Sequence, residues 1–298
     1  MIRRLEYDEI DFVKYQKCLE NSEQRKYSVE KIFLDTTSQN NWDLLVYGDY
    51  DAVMPIPYIV KWGFKIVVNP RLTQQLGVFS LKDSKEINEQ FLAFFKKNYR
   101  IWYYAFNDQN EFVTSLKRRK NFLISSGNYE EVRQRYSPKR KRKLRLNPGV
   151  IDFSEIRDHI KFEEVKTFIK KNLMGVEKQK EIEGYVFILE SFSMKNLIDF
   201  YGFYFKDELI NLVAIYQEKY VSVLLGTYNV KELVKLNGAS NLIDYAIKKN
   251  IEHKLFDFEG GDFPHLEEYF RGFRGEMKTY PVIENSKAQL LLSMFRKK

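Results

Sequence analysis

A single cysteine among 298 residues, Cys18, excludes an internal disulfide and any cysteine-based zinc cluster, and fits a reducing compartment. Histidine is nearly as scarce. His159, His253 and His265 stand at no metal-ligand spacing, so no metal is expected. No run approaches the apolar length of a membrane span, and Met1-Ile2-Arg3-Arg4-Leu5-Glu6 lacks the apolar core of a secretory signal; a soluble, cytoplasmic protein is expected. The G-x-S-x-G elbow, the Walker loop and the dinucleotide fingerprint are missing as well. Cys18 lies in the polar segment YQKCLENSEQ with no partner to activate it, and reads as a bystander thiol. What remains is chemistry by binding and positioning.

What is abundant is apolar and aromatic: 44% hydrophobic and 16% aromatic residues, nearly all of the aromatics Tyr or Phe, describe a folded chain. Its length suits two domains or one large one. In the first half, Asp43 to Tyr47, Tyr50 to Pro55 and Phe64 to Val68, with turns at Gly48-Asp49 and Trp62-Gly63, read as an antiparallel meander. Ser84 to Tyr99 follows at helical spacing, then strands at Ile101 to Phe106 and Asn121 to Ile124. Between them, Asn69 to Gly77 carries Gln74 and Gln75, a pair suited either to a ligand cleft or to plain solvation.

Positive charge gathers in the middle, from Arg133 through Lys139, Arg140, Lys141, Arg142 and Lys143 to Arg145, and holds a large share of the net +8. Ser137-Pro138 can open a helix there. Spread around several faces, these cations suit phosphate on a tRNA, a coenzyme or a nucleotide-linked precursor, and equally a charged helix between domains. Pro148-Gly149 breaks the chain beyond it.

The second half opens with helices at Phe162 to Leu173 and Tyr185 to Asn196, separated by charged Glu177 to Glu183. Strands follow at Ile198 to Phe205, Glu208 to Gln217 and Tyr220 to Leu225, with turns at Lys206-Asp207 and Glu218-Lys219. The last strand stops at Gly226, and Asn237-Gly238-Ala239-Ser240 introduces a helix whose Leu242, Ile243, Ala246 and Ile247 share one face. Small residues at a helix start expose backbone N–H groups at the positive end of the dipole: an anion site, or an ordinary cap. Lys254 to Phe258 forms the next strand and exits through Glu259-Gly260-Gly261, placing carboxylates at a strand end, where ligands of open sheets gather. Leu266 to Phe273 and a strand near Met277 to Ile283 close the chain.

Three segments carry a family resemblance: YSPKRKRKLRLNPGV, YGFYFKDELINLVAIYQEKYVSVLLGTYN and NGASNLIDYAIKKNIEHKLFDFEGGDFPHLEEYFRGFRGEMKTYP, together most of residues 130 to 285. MPIPYIVKWGFKIVVNPRLTQQLGVFS matches more loosely. The chain resembles the FemABX-type peptidyltransferases and the BioF2-like or CelD-like acyltransferases of the GNAT superfamily. In one departure, Phe273-Arg274-Gly275 stands where Phe-Gly-small is typical. The resemblance implies an α+β (mixed α/β) fold of two tandem GNAT-like domains, 1–130 and 131–298, each a twisted, mostly antiparallel sheet flanked by helices, with the donor-binding half at 198–285. It implies acyl transfer to an amine, with the donor between the strands Tyr220 to Leu225 and Lys254 to Phe258.

On that basis Leu225, Gly226, Thr227, Asn237, Gly238, Ala239, Ser240 and Asn241 are expected to hold the donor. Asp257 and Glu259, aimed to one side of their strand by alternation, are expected to handle the amine proton, with Tyr204, Tyr201 and Tyr269 behind them. Gln74, Gln75, Arg271 and Arg274 are expected at substrate. The donor is acyl-CoA or aminoacyl-tRNA; the latter implies a peptidyltransferase acting on a cell-wall precursor. Absence of a long paired helical arm favours acyl-CoA. A non-catalytic module binding nucleic acid through Lys139 to Lys143 stands as the alternative from another class.

Overall fold

A computed structural model describes residues 1–61 and 63–295; Trp62, read as part of a turn, lies outside them. The chain divides into two compact units, 1–120 together with 279–298, and 121–278. Where the sequence suggests a division at residue 130, the first unit is completed by the chain's end.

In the first unit, β1 (Ile2–Leu5), α1 (Phe12–Glu20) and α2 (Lys31–Ser38) precede β2 (Trp42–Tyr47), β3 (Ala52–Lys61), β4 (Phe64–Val67), β5 (Phe79–Ser80), α3 (Lys85–Asn98), β6 (Arg100–Ile101) and β7 (Tyr103–Ala105). The sheet order is β1-β2-β3-β4-β6, with β5 also on β3. β1 to β4 are antiparallel neighbours. β6 joins β4 in parallel through the crossover helix α3, as a parallel pair requires. Ser84 accepts the Ile87 N–H at 3.2 Å and starts α3, whose Phe91 and Phe95 enter the core one turn apart. Each such ring contributes roughly 2 kcal/mol by burial. β7 pairs antiparallel with residues 282–284.

The second unit begins inside β8 (Lys117–Ile124). It continues with α4 (Tyr129–Arg135), α5 (Pro138–Leu144), α6 (Pro148–Ile151), β9 (Ser154–Arg157), α7 (Phe162–Asn172), α8 (Gln179–Met194), β10 (Ile198–Phe205), β11 (Glu208–Gln217), β12 (Val221–Asn229), α9 (Gly238–Asn250), β13 (Leu255–Asp257) and α10 (Pro264–Arg271), and ends inside β14 (Glu276–Glu284), whose later residues belong to the first unit. β9 to β12 are antiparallel in sequence, β12 and β13 are parallel, and β13 pairs antiparallel with β8. The β10–β11 hairpin turns at Lys206 and Asp207, both with positive φ, the mirror-image turn that matches strand twist. α9 is the crossover between β12 and β13; its Leu242, Ile243, Ala246 and Ile247 pack on Val213, Leu224 and Phe256. α8 starts earlier than its apolar pattern suggests, because Gln179 to Glu183 are good helix formers whatever their charge. Among the described residues no helix is long and apolar enough to cross a membrane.

Candidate functional site

β12 and β13 stay together for three residues only. Val221, Ser222 and Val223 pair with Leu255, Phe256 and Asp257; β13 then ends, while β12 runs on to Asn229 beside β11. Among the described residues, no strand pairs with the β13 side of β12 beyond Val223, so backbone groups there are left for another partner. At this place Leu225 is an extra residue: Gly226 faces Ala214 and Leu224 faces Ile215, a bulge that re-aims the strand edge. The Leu225 carbonyl accepts from the Tyr185 hydroxyl at 3.4 Å, and Tyr185 shares a 2.9 Å hydrogen bond with Tyr228. Burial pushes the Tyr185 phenol up to about 12 and Tyr228 well above its usual range. Tyr185 is therefore a neutral O–H donor at the notch. Gly226 is required on the other count: an added Cβ would collide with the Tyr228 hydroxyl.

The first turn of α9 is filled from within the protein. Asn237 adopts a left-handed φ of 61° and caps nothing with its side chain. Gly238 sits against Asn211, whose Oδ1 a Cβ would strike, and Asn211 in turn donates to Asn229 at 2.7 Å. Ser240 is buried and accepts from the Arg140 guanidinium. Ala239 and Asn241 are half-buried, and Asn241 donates back to the Asn237 carbonyl. Smallness at Gly238 thus has a packing cause, and its loss would not by itself report on a ligand.

Asp257 and Glu259 do not share a strand face. β13 stops at Asp257, and Glu259 takes a φ of 52°, so the alternation that would align them is broken. Asp257 is buried; it accepts from Asn121 Nδ2 at 2.7 Å and from the Glu259 N–H at 2.9 Å, while Asn121 Oδ1 accepts the Gly260 N–H at 2.9 Å. The Asn121–Asp257 pair fixes the Glu259-Gly260 turn beside the parted strands. Tyr204 is on β10, separated from β13 by β11 and β12, with Arg157 over its ring at 4.0 Å. Tyr201 packs edge-on to Tyr245 in the core. In the first unit Gln75 is buried: its Oε1 accepts the Asp108 N–H, its Nε2 donates to Gln74, and its carbonyl accepts from Ser28. That amide holds loops together.

The basic segment and the arginines of α10 meet. Lys139, Arg140 and Lys143 from α5, Arg271 at the end of α10 and Arg274 in the turn beyond it line one cavity of about 390 Å³, with Glu268 among them. Its geometry follows from local structure: Ser137 caps α5, Pro138 takes the first helical position, and the Ser137 N–H donates to the Gly272 carbonyl, docking the helix start on the end of α10. Tyr136, Arg140 and Leu144 then fall one turn apart and all point inward. Arg140 lies between the rings of Tyr269 at 4.0 Å and Phe273 at 4.3 Å and donates to Ser240 and to the Tyr269 carbonyl. The Tyr269 hydroxyl meets Ser240 at 3.2 Å. Lys141 turns away to the Gln134 carbonyl, and Arg142 is exposed. Tyr185 and Tyr228 are the site groups that sequence reading missed; the only signal for Tyr228 is its place three residues past Leu225.

No protein-family model matches the chain, and no curated protein sequence matches it. Solved structures do. FemX aligns over 99% of this chain and 100% of its own, at 9% identity and a TM-score of 0.63. A conserved protein of unknown function from Bacteroides thetaiotaomicron aligns over 96% and 100%, at 9% identity and 0.56. A tandem GNAT protein from the clavulanic acid biosynthesis pathway aligns over 95% and 98%, at 10% identity and 0.52. The chain therefore shares the fold of FemX and of the tandem GNAT protein, a mixed α+β architecture.

Proposed function

We propose that the chain is an N-acyltransferase that moves an acyl group from acyl-CoA to an amine acceptor by direct attack. The observation that carries this reading is the parting of β12 from β13 past Val223, with the Leu225 bulge on the opened edge. Fixed backbone N–H groups along that edge can meet the oxyanion that develops at the acyl carbon. The amine nitrogen forms the new C–N bond, the C–S bond breaks, and the proton the amine loses balances the one the thiolate gains. Glu259, at the turn held by Asn121 and Asp257, is the proposed collector of the amine proton. Tyr185, neutral and 3.4 Å from the Leu225 carbonyl, is the proposed donor to the leaving sulfur. Asp257, spent on Asn121 and the Glu259 N–H, is a positioning residue.

Titration of the purified protein with acetyl-CoA and longer acyl-CoAs, read as melting temperature, tests the donor. A saturable rise is expected, and Tyr185→Phe should keep it while lowering kcat by roughly a hundredfold. No rise with any acyl-CoA would sink the reading. A second reading, aminoacyl-tRNA as donor and a cell-wall precursor as acceptor, draws support from Arg135, Arg142 and Arg145, all exposed. It would show as binding that collapses between low and moderate salt.

A further inference from the structure

Buried cations in folded proteins are paired, because an ammonium or guanidinium withdrawn from water costs several kcal/mol unless an anion compensates it. Arg140 breaks this pattern. It is 4% exposed, and among the described residues no carboxylate forms an ion pair with it. Its guanidinium donates to the neutral Ser240 hydroxyl and the Tyr269 carbonyl, and its Nε, buried, has no hydrogen-bond partner among the described residues. Burial depresses its pKa, opposed in part by Tyr269, Tyr136 and Asp244 nearby. Lys143 and Arg274, on the wall of the same cavity, also form no ion pair among the described residues, whereas Lys139 is paired with Glu268 and Arg271 with Glu267. Three cations without an ion-pair partner among the described residues thus converge on one concavity, two from one helix and one from a residue held at a φ of 60°, with Glu268 near Lys143 and Asp244 near Arg140 acting only at longer range.

We propose that this cavity is a phosphate site: it takes the diphosphate or phosphomonoester of a small ligand, which under the reading above, on which this step rests, is the carrier of the acyl donor. The first turn of α9 is closed by Asn211 and by Arg140 itself, so the phosphates are held instead by the side chains of Arg140, Lys143 and Arg274. Planar guanidinium groups suit paired phosphate oxygens. A small ligand is favoured over an RNA backbone because these cations face one concavity of about 390 Å³, in the range of small-molecule pockets, rather than a track.

Calorimetric titration of the full chain at low salt, with inorganic pyrophosphate, CoA, S-acetylpantetheine and a short single-stranded RNA, tests this. The variant is Lys143→Gln with Arg274→Asn; asparagine tolerates the left-handed φ, and both side chains leave the core untouched. Pyrophosphate and CoA are expected to bind the wild type and to weaken by about tenfold or more in the variant, while S-acetylpantetheine, which has no phosphate, binds both proteins equally. CoA binding that is unchanged in the variant overturns the phosphate site and leaves the donor reading standing. Pyrophosphate binding that the variant loses, with neither CoA nor S-acetylpantetheine bound, supports the site and removes the donor reading. Absence of binding by both pyrophosphate and CoA overturns the site. RNA that binds alone, with the variant impaired, also overturns it in favour of a nucleic-acid surface. Arg140→Met, which swaps the guanidinium for an apolar chain, should abolish pyrophosphate binding with the melting temperature retained; retained binding counts against the site.

Discussion

Each unit contains one parallel strand pair bridged by a helix, and the two pairs have been finished differently. In the first, β4 and β6 pair through Ile66 and Val67, and the ladder is then stitched shut as the Trp102 N–H donates to the Val67 carbonyl. Its crossover helix α3 has a side-chain cap from Ser84 and an acid, Glu86, in the first turn. In the second, β12 outruns β13 and keeps an unpaired edge, and α9 has no side-chain cap, no acid in its first turn, and Arg140 against Ser240. A helix start that is already capped and acidic has met its own electrostatic demand. α9 lacks both, and its first turn is closed by Asn211 and Arg140 instead. The proposed phosphate site accordingly lies beside the second pair, on side chains and not on the helix start.

The sharpest way to break the comparison is at the first residues of the two crossover helices. Gly238→Ala should cost roughly 3 kcal/mol in urea unfolding, since its Cβ meets Asn211 in a packed interior. Lys85→Ala, on the exposed start of α3, should stay within about 0.5 kcal/mol. Next in size, Ser84→Ala should remove about 1 kcal/mol of stability and leave donor binding and turnover intact; a fall in donor affinity would place the first pair in the site. Arg140→Met should leave the free protein as stable as before or raise its stability by about 1 kcal/mol or more, because it removes a buried cation that no carboxylate pairs. The smallest effect is at Asp244. Burial raises its pKa, partly offset by the Tyr129 hydroxyl at 3.0 Å. With its folded pKa above the unfolded one, stability falls as pH rises from the ordinary carboxylate range through the folded value. Asp244→Asn should therefore gain on the wild type as pH rises from about 4, and a constant difference between the two would contradict the raised pKa.

Much of the second unit was legible because its elements are long and periodic: the apolar face of α9 and the turn at Lys206-Asp207 follow from spacing, whereas the strand read as stopping at Gly226 runs on to Asn229 through the bulge at Leu225. The first unit hid more. β1 is only IRRL, and α2 carries Thr36 and Thr37, poor helix formers that instead donate to the Ile32 and Phe33 carbonyls. The pairing of Asp257 with Glu259 failed for a local reason, since one left-handed residue reverses the direction that alternation supplies. Arg140 was readable in part. Tyr136 and Leu144 lie one turn to either side of it, and that apolar spacing marks the inward face of an otherwise solvated charge run. What no spacing could supply was the partner, because α10 lies more than a hundred residues on in the chain.

The ladder between β7 and residues 282–284 also sets an order of events during synthesis. Phe106 donates to the Pro281 carbonyl, Asn285 donates to the carbonyls of Trp102 and Ile101, and Lys117 meets Glu284. Those partners leave the ribosome only after the whole of the second unit has been made, a delay on the order of ten seconds. The half that begins first is the half that finishes last, with the exposed β7 edge waiting through translation for the strand that closes it.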